Sequence, residues 1–167
     1  IALPEMWPFI GNNVDRLAKS QTLNGEIVQF GRGLAAELGV TLFAGTFAER
    51  TEDGSKVYNT GFVAGPTGDL LASYRKIHLF DITTPDGKDY KESDTVLPGS
   101  DIVTYQADDI TIGCSICYDM RFAELYLKLA AAGAQVIMMP AAFTLQTGKD
   151  HWDTLIRARA IETQCYA

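Results

Sequence analysis

DITIGCSICYDMRFAELYLKL, residues 109–129, is the stretch whose reading decides the fold. Ile110, Ile112, Cys114 and Ile116 alternate on one face of a period-2 strand, and Thr111, Gly113, Ser115 and Cys117 on the other. A short polar turn follows. Phe122, Leu125, Tyr126 and Leu129 then recur at helical spacing, with Gly133 as a stop. Cys117 therefore sits at a strand-to-helix junction, where open α/β sheets place their chemistry. Three readings of it compete: an inert buried thiol, half of a redox Cys-x-x-Cys with Cys114, or a nucleophile needing a base and an oxyanion donor from elsewhere. The alternation puts Cys114 and Cys117 on opposite faces, which argues against the redox pair.

Working outward, residues 135–143 (QVIMMPAAF) read as a strand whose pairing ends at Pro140. With residues 110–129 they make a strand–helix–strand unit. Asp150 is positioned to cap a helix running through Gln164, with Trp152, Leu155, Ile156 and Arg159 on one stripe. Arg157 and Arg159 read as structural ion-pair residues. Upstream, Ile27, Phe30, Leu34 and Leu38 predict a helix over 24–38 that ends at Gly39, followed by a buried strand over 40–47. A polar turn around Asp53-Gly54 leads into a hairpin, 57–64 and 70–77, closed by Gly65-Pro66-Thr67-Gly68-Asp69. Residues 6–13 are a loop. Residues 80–100 show no period, which in a compact domain marks an active-site loop or lid. The fold class is α/β with a mixed sheet, read as one domain over 1–167.

Size and composition exclude several classes. At 167 residues the chain can bury a core. Its net charge is −7 and its Lys and Arg are scattered, so no nucleic-acid partner is expected. No apolar run approaches the ~20 residues that cross a bilayer, so no membrane partner is expected either. Three cysteines form no disulfide framework, which fits a reducing, cytoplasmic setting. His78 and His151 are the only histidines, and no second pair completes a metal site around Cys114 and Cys117. The chain opens on Ile-Ala-Leu-Pro, like the end of a strand, and closes on Thr-Gln-Cys-Tyr-Ala, like the start of one. It reads as part of a longer polypeptide.

Partners for Cys117 are sought at other strand ends. Glu5 follows the apolar run 1–4, and a solvated turn carboxylate is the bland alternative. Lys76 and His78 share a face at the end of the second hairpin strand, where lysine is also common on solvated edges. Glu92 lies in the 80–100 loop, where solvation alone could explain it.

Taken together these segments resemble the nitrilase superfamily of carbon–nitrogen hydrolases. Leu3-Pro4-Glu5 resembles the segment carrying the family's catalytic glutamate. Residues 74–81 (YRKIHLFD) resemble its lysine segment, and residues 117–125 (CYDMRFAEL) its cysteine segment. The likeness continues through His151-Trp152 and residues 157–162, covering essentially the whole chain with three motifs in family order. The resemblance implies a four-layer αββα sandwich, here lacking parts at both ends, and assembly into homodimers or larger homo-oligomers. It implies Glu5 as base, Cys117 as the nucleophile forming a thioester, and Lys76 with the Tyr118 N–H as oxyanion donors. Glu92 would orient Lys76 or the substrate. Tyr-Asp-Met-Arg-Phe after the cysteine is similar to the branch of omega-amidases and deaminated-glutathione amidases, which act on small amides bearing a carboxylate. Arg121 would grip that carboxylate, a buried structural ion pair being its alternative, and Phe143 and Thr144 would line the pocket. Neither metal nor cofactor is implied. An N-carbamoyl amino-acid hydrolase, a nitrilase, and a silent binding or redox protein are the rivals.

Overall fold

The computed structural model describes residues 1–84 and 87–167. Pro85 and Asp86, within the expected 80–100 loop, lie outside the described residues. In chain order the elements are α1 (Asn13–Ala18), α2 (Glu26–Leu38), β1 (Leu42–Arg50), β2 (Val57–Ala64), β3 (Leu70–Arg75), β4 (Asp81–Thr83), β5 (Asp89–Lys91), β6 (Val96–Leu97), β7 (Thr104–Ala107), β8 (Ile110–Cys114), α3 (Ala123–Ala131), β9 (Val136–Met138) and α4 (Leu145–Thr163). One sheet runs β1-β2-β3, antiparallel throughout, with β6 added parallel to β2. The other runs β7-β8-β9, antiparallel then parallel, with α3 as the crossover between β8 and β9.

Three apolar clusters separate four layers. Val28 and Ala35 of α2 pack with Leu42, Ala44, Phe47, Phe62 and Ala64 on the outer face of the first sheet. Phe43, Val63 and Tyr74 on its inner face meet Tyr105, Cys114 and Ile116 of the second sheet. Leu125, Tyr126 and Leu129 of α3 cover the far side of the second sheet with Ile137, and Trp152, Leu155 and Ile156 of α4 pack against them. This is the αββα order expected from the resemblance. The stripe expected in α3 is its buried face and that of α4 is half-buried, whereas α2 buries Val28, Gly31 and Ala35 and leaves Phe30 and Leu38 of its expected stripe exposed.

Several boundaries differ from expectation, each for a local reason. Helix α4 begins at Leu145, not Asp150, because Thr144 caps it by accepting the Thr147 N–H at 3.3 Å. Helix α1 was not expected; Asn12 caps it by accepting the Asp15 N–H at 2.9 Å. The stretch 80–100 is not without structure: β4 and β5 pair as a short ribbon, and Glu92–Asp94 form a 3-10 turn. Strand β8 stops at Cys114, two residues earlier than the alternation predicts, although the Ser115 and Cys117 N–H groups still donate across to Met138 and Pro140.

One detail of β1 governs where Glu5 goes. Residues 1–3 run parallel to β1: Phe43 N–H donates to Ile1 O at 2.9 Å, and Leu3 N–H to Phe43 O at 3.0 Å. Pairing with β2 then shifts register between Phe43 and Thr46, a bulge at Ala44-Gly45. The extra residue puts Phe47 on the same face as Leu42 and Ala44. It also opens room for Pro4, since a β-carbon on Gly45 (φ +56°) would stand 2.1 Å from Pro4 O. Thr46 Oγ1 accepts the Met6 N–H at 2.8 Å, and Trp7 Nε1 donates to Ala44 O at 2.6 Å. Glu5 is thereby pinned on both sides. Gly45→Ala should cost about 2 kcal/mol or more of stability through clash and strain. Urea unfolding measures it, and a wild-type midpoint would mean that Pro4 can retreat freely.

Candidate active site

Four chain segments deliver polar groups to one cavity of about 390 Å³ between the strand ends. Glu5 arrives from the strand-like N-terminal run, Lys76 from the residue after β3, Glu92 from the 3-10 turn after β5, and Cys117 from the turn after β8; all four line it. Lys76 is only 2% exposed. Its Nζ lies 3.3 Å from Glu5 Oε1 and 2.9 Å from Glu92 Oε2. The carboxylates are themselves held. Asn59 Nδ2 donates to Glu5 Oε1 at 2.8 Å and to Glu92 Oε1 at 3.3 Å. The Ala142 N–H donates to Glu5 Oε2 at 2.8 Å, and the Phe80 N–H to Glu92 Oε2 at 2.7 Å.

The charges decide the protonation states. Burial pulls the pKa of Lys76 down, but the charges of Glu5 and Glu92 outweigh it and raise the pKa of the ammonium. Lys76 therefore stays cationic at neutral pH. Cys117 goes the other way from a preformed thiolate. Burial and the Glu5 charge push its thiol pKa up, and Lys76 only partly opposes them. With Glu5 and Glu92 ionised and Lys76 protonated, the cluster carries −1, and ionising Cys117 outright would make it −2. Passing the thiol proton to Glu5, whose charge acts on the sulfur, keeps the charge constant. The arrangement can thus generate a sulfur nucleophile by internal proton transfer beside a fixed cation. Cys114, by contrast, is simply buried, its pKa pushed up to about 12.

Cys117 occupies φ +49°, unusual for a residue with a β-carbon. This corrects the face count: the alternation ends before Cys117, and both sulfurs fall in the apolar cluster between the sheets. All three cysteines are free. The turn is held by Asp119, which is completely buried. Its Oδ2 accepts the Ile116 N–H at 2.9 Å and the Tyr74 hydroxyl at 2.8 Å, and its Oδ1 accepts the His78 N–H at 2.9 Å and His78 Nδ1 at 2.8 Å. Tyr74 and His78 flank Lys76, so one carboxylate ties the lysine segment to the cysteine turn. The His78 ring stacks on Phe122 with centroids 3.7 Å apart.

Of the expected binding residues, Tyr118, Phe143 and Thr144 line the cavity. Arg121 is not among the lining residues. Its guanidinium lies over the rings of Tyr118 (5.5 Å) and Phe143 (6.0 Å), and Nη2 is 3.1 Å from His151 Nδ1. Arg159 is structural as expected: it donates to Met120 O at 2.8 Å and pairs with Glu162. Arg157 pairs with Asp153 in the open. Asn59 and Asp119 were missed as functional groups. A lone Asn inside the apolar run 57–64 and an acid two residues past the cysteine were the only signals. Asn59 Oδ1 and Arg16 Nε are buried without a partner among the described residues. No group of three metal-ligating side chains occurs among the described residues, and no helix there is long and apolar enough to cross a membrane.

Two outcomes follow from this geometry. Thiolate absorbance near 240 nm, taken as the difference between the protein and Cys117→Ala, should stay flat from pH 6 to 9. The raised pKa keeps the thiol protonated there, and a step in that window would mean that Lys76 outweighs burial and Glu5. Asp119→Asn sets an amide where four donors need acceptors, so denaturant unfolding should register a loss of about 2 kcal/mol or more. Unchanged stability would make this knot dispensable.

The family model described as "Carbon-nitrogen hydrolase" matches residues 1–167. The chain is 43% identical over 169 residues to a deaminated glutathione amidase from Synechocystis, covering 99% of this chain and 62% of that protein. It is 44% identical over 147 residues to human omega-amidase NIT2, covering 88% and 52%. Among solved structures it superposes on the Caenorhabditis elegans NitFhit protein with a TM-score of 0.89 (36% identity, 98% and 40% covered). It also superposes on Saccharomyces cerevisiae Nit3, a nitrilase-superfamily member, with a TM-score of 0.86 (33% identity, 98% and 58% covered). The chain thus spans roughly half to three-fifths of the curated relatives it matches. With a Glu, a Lys and a Cys drawn into one cavity of an αββα sandwich, this chain belongs to the carbon–nitrogen hydrolase family of the nitrilase superfamily.

Proposed function

We propose that this protein is a cysteine-dependent amidase that hydrolyses a small carboxylate-bearing amide to an acid and ammonia, an omega-amide of a keto acid or a deaminated-glutathione type. The observation that carries the reading is the buried Lys76 ammonium held between Glu5 and Glu92 in the cavity that Cys117 lines. The names of the curated relatives, deaminated glutathione amidase and omega-amidase, support the substrate class.

In this reading Glu5 takes the Cys117 proton as sulfur attacks the amide carbon. The carbonyl oxygen becomes an oxyanion, stabilised by Lys76 and the Tyr118 N–H. Collapse expels the amine, which receives the proton from Glu5, and leaves an acyl thioester on Cys117. Glu5 then activates water, whose attack releases the acid and restores the thiol. Glu92 keeps Lys76 charged and aimed, and Asn59 holds both carboxylates in place. Tyr118, Phe143 and Thr144 form the wall against which the substrate rests. Arg121 is not on the cavity lining and lies over the rings of two of those side chains, Tyr118 and Phe143.

The cavity is at the small end of ligand sites, which suits a short amide. A homodimer or larger homo-oligomer and a cytoplasmic setting belong to the same reading. Free cysteines support the latter.

Losing one preorganised oxyanion donor costs about 2.7–4 kcal/mol in the transition state. Lys76→Ala should therefore lose roughly 100- to 1,000-fold in turnover, assayed as ammonia release from an omega-amide acid. Wild-type rates in that variant would remove Lys76 from the chemistry. Carbon dioxide among the products would favour the carbamoyl-hydrolase rival instead.

A further inference from the structure

The cavity contains a cation that the chemistry above leaves unused. Arg16, on α1, lines it. Its Nε is buried and has no hydrogen-bond partner among the described residues. Other cations near the core are occupied. Lys76 serves Glu5 and Glu92, Arg75 forks onto Glu49, Arg159 holds Met120 O and Glu162, and Arg121 sits on His151. Lys91 also lines the cavity, and its charge is felt by Asp81. Among the described residues, the lining carboxylate outside the Lys76 cluster, Asp89, accepts the Thr83 hydroxyl at 2.6 Å.

A buried donor without an acceptor is costly, and native structures retain few of them. The electrostatics of the cavity give the guanidinium that carries this one a use. The group formed by Glu5, Glu92 and Lys76 carries −1, so it repels an anionic substrate rather than holding it. Lys76 cannot serve as a carboxylate grip, because two protein carboxylates already claim it. A guanidinium elsewhere on the cavity lining offsets that repulsion, and its planar fork matches a carboxylate. The phenyl and phenol rings of Phe9 and Tyr90, also on the lining, suit a short methylene chain.

We infer that Arg16 recognises the free carboxylate at the far end of the amide substrate, selecting short dicarboxylic monoamides over neutral amides of the same length. The inference rests on the amidase reading and adds the residue that sets its specificity. It gives α1 a role that no sequence motif marks.

The test compares glutarate monoamide with pentanamide, five-carbon amides ending in a carboxylate or a methyl group. The readout is the ratio of their kcat/KM values in the full-length protein. Arg16→Gln should lower that ratio roughly 10- to 100-fold, the range for a charge-assisted hydrogen bond. Arg16→Lys should recover part of it, having the charge without the fork. An unchanged ratio in Arg16→Gln overturns the inference, and a collapse confined to Arg121→Gln hands the role to Arg121. Glutarate binding, followed by calorimetry, makes the same comparison without turnover. Weaker binding in Arg16→Gln supports the grip; equal binding in the variant, or none in the wild type, overturns it. Wild-type protein that binds glutarate yet releases no ammonia from either amide would overturn the amidase reading alone.

Discussion

A buried ammonium between two carboxylates is the interaction on which the rest of this structure depends. Taking a charge out of water costs several kcal/mol, and attraction offsets it only when every partner is also satisfied. Here both conditions hold. Lys76 meets Glu5 and Glu92, and those carboxylates are satisfied in turn by Asn59 and by the backbone of Ala142 and Phe80. Each group comes from a different part of the chain. The cluster is therefore complete only when both sheets, the 3-10 turn at Glu92 and the segment after β9 are in place.

The same cluster explains why Cys117 is not a standing thiolate. Two carboxylates against one ammonium leave a negative residue of charge, and burial adds to its effect on sulfur. The thiol is stable until something draws its proton onto Glu5. In the proposed reaction an electrophilic carbon at the sulfur does so, which confines nucleophilicity to the occupied site. The strained backbone at Cys117 and the buried Asp119 behind it serve the same end. They hold sulfur at the cavity wall and tie its turn to the strand end that carries Lys76.

Period and turn chemistry made much of the fold legible. The alternation in β8, the stripe of α3 and the Pro-Gly turn between β2 and β3 are local patterns with local causes, and their elements form, although β8 ends two residues early. The misses are also local in form, and one is tertiary in cause. Helix α4 starts at Leu145 because the Thr144 hydroxyl caps it. The bulge at Ala44-Gly45 is invisible in an unbroken apolar run; it exists because Pro4 must approach β1. Of the site, Glu5, Lys76, Glu92 and Cys117 could be singled out as residue types at strand ends and in a loop. Asn59, Asp119 and Arg16 could not, since a single Asn, Asp or Arg has no spacing that distinguishes it.

By itself, the sequence determined the alternation of strands and helices, the apolar faces that must be covered, and a cysteine at a strand end with acids and a lysine at others. These follow from backbone periodicity and side-chain chemistry, which act over a few residues. Only the tertiary structure decided that those strand ends meet in one cavity, that Cys117 leaves its strand before the alternation predicts, and that Arg121 is off the cavity lining while Arg16 is on it. The reason is physical: distances between residues 71 and 137 positions apart are set by how two sheets pack face to face, and that packing depends on all the buried side chains at once.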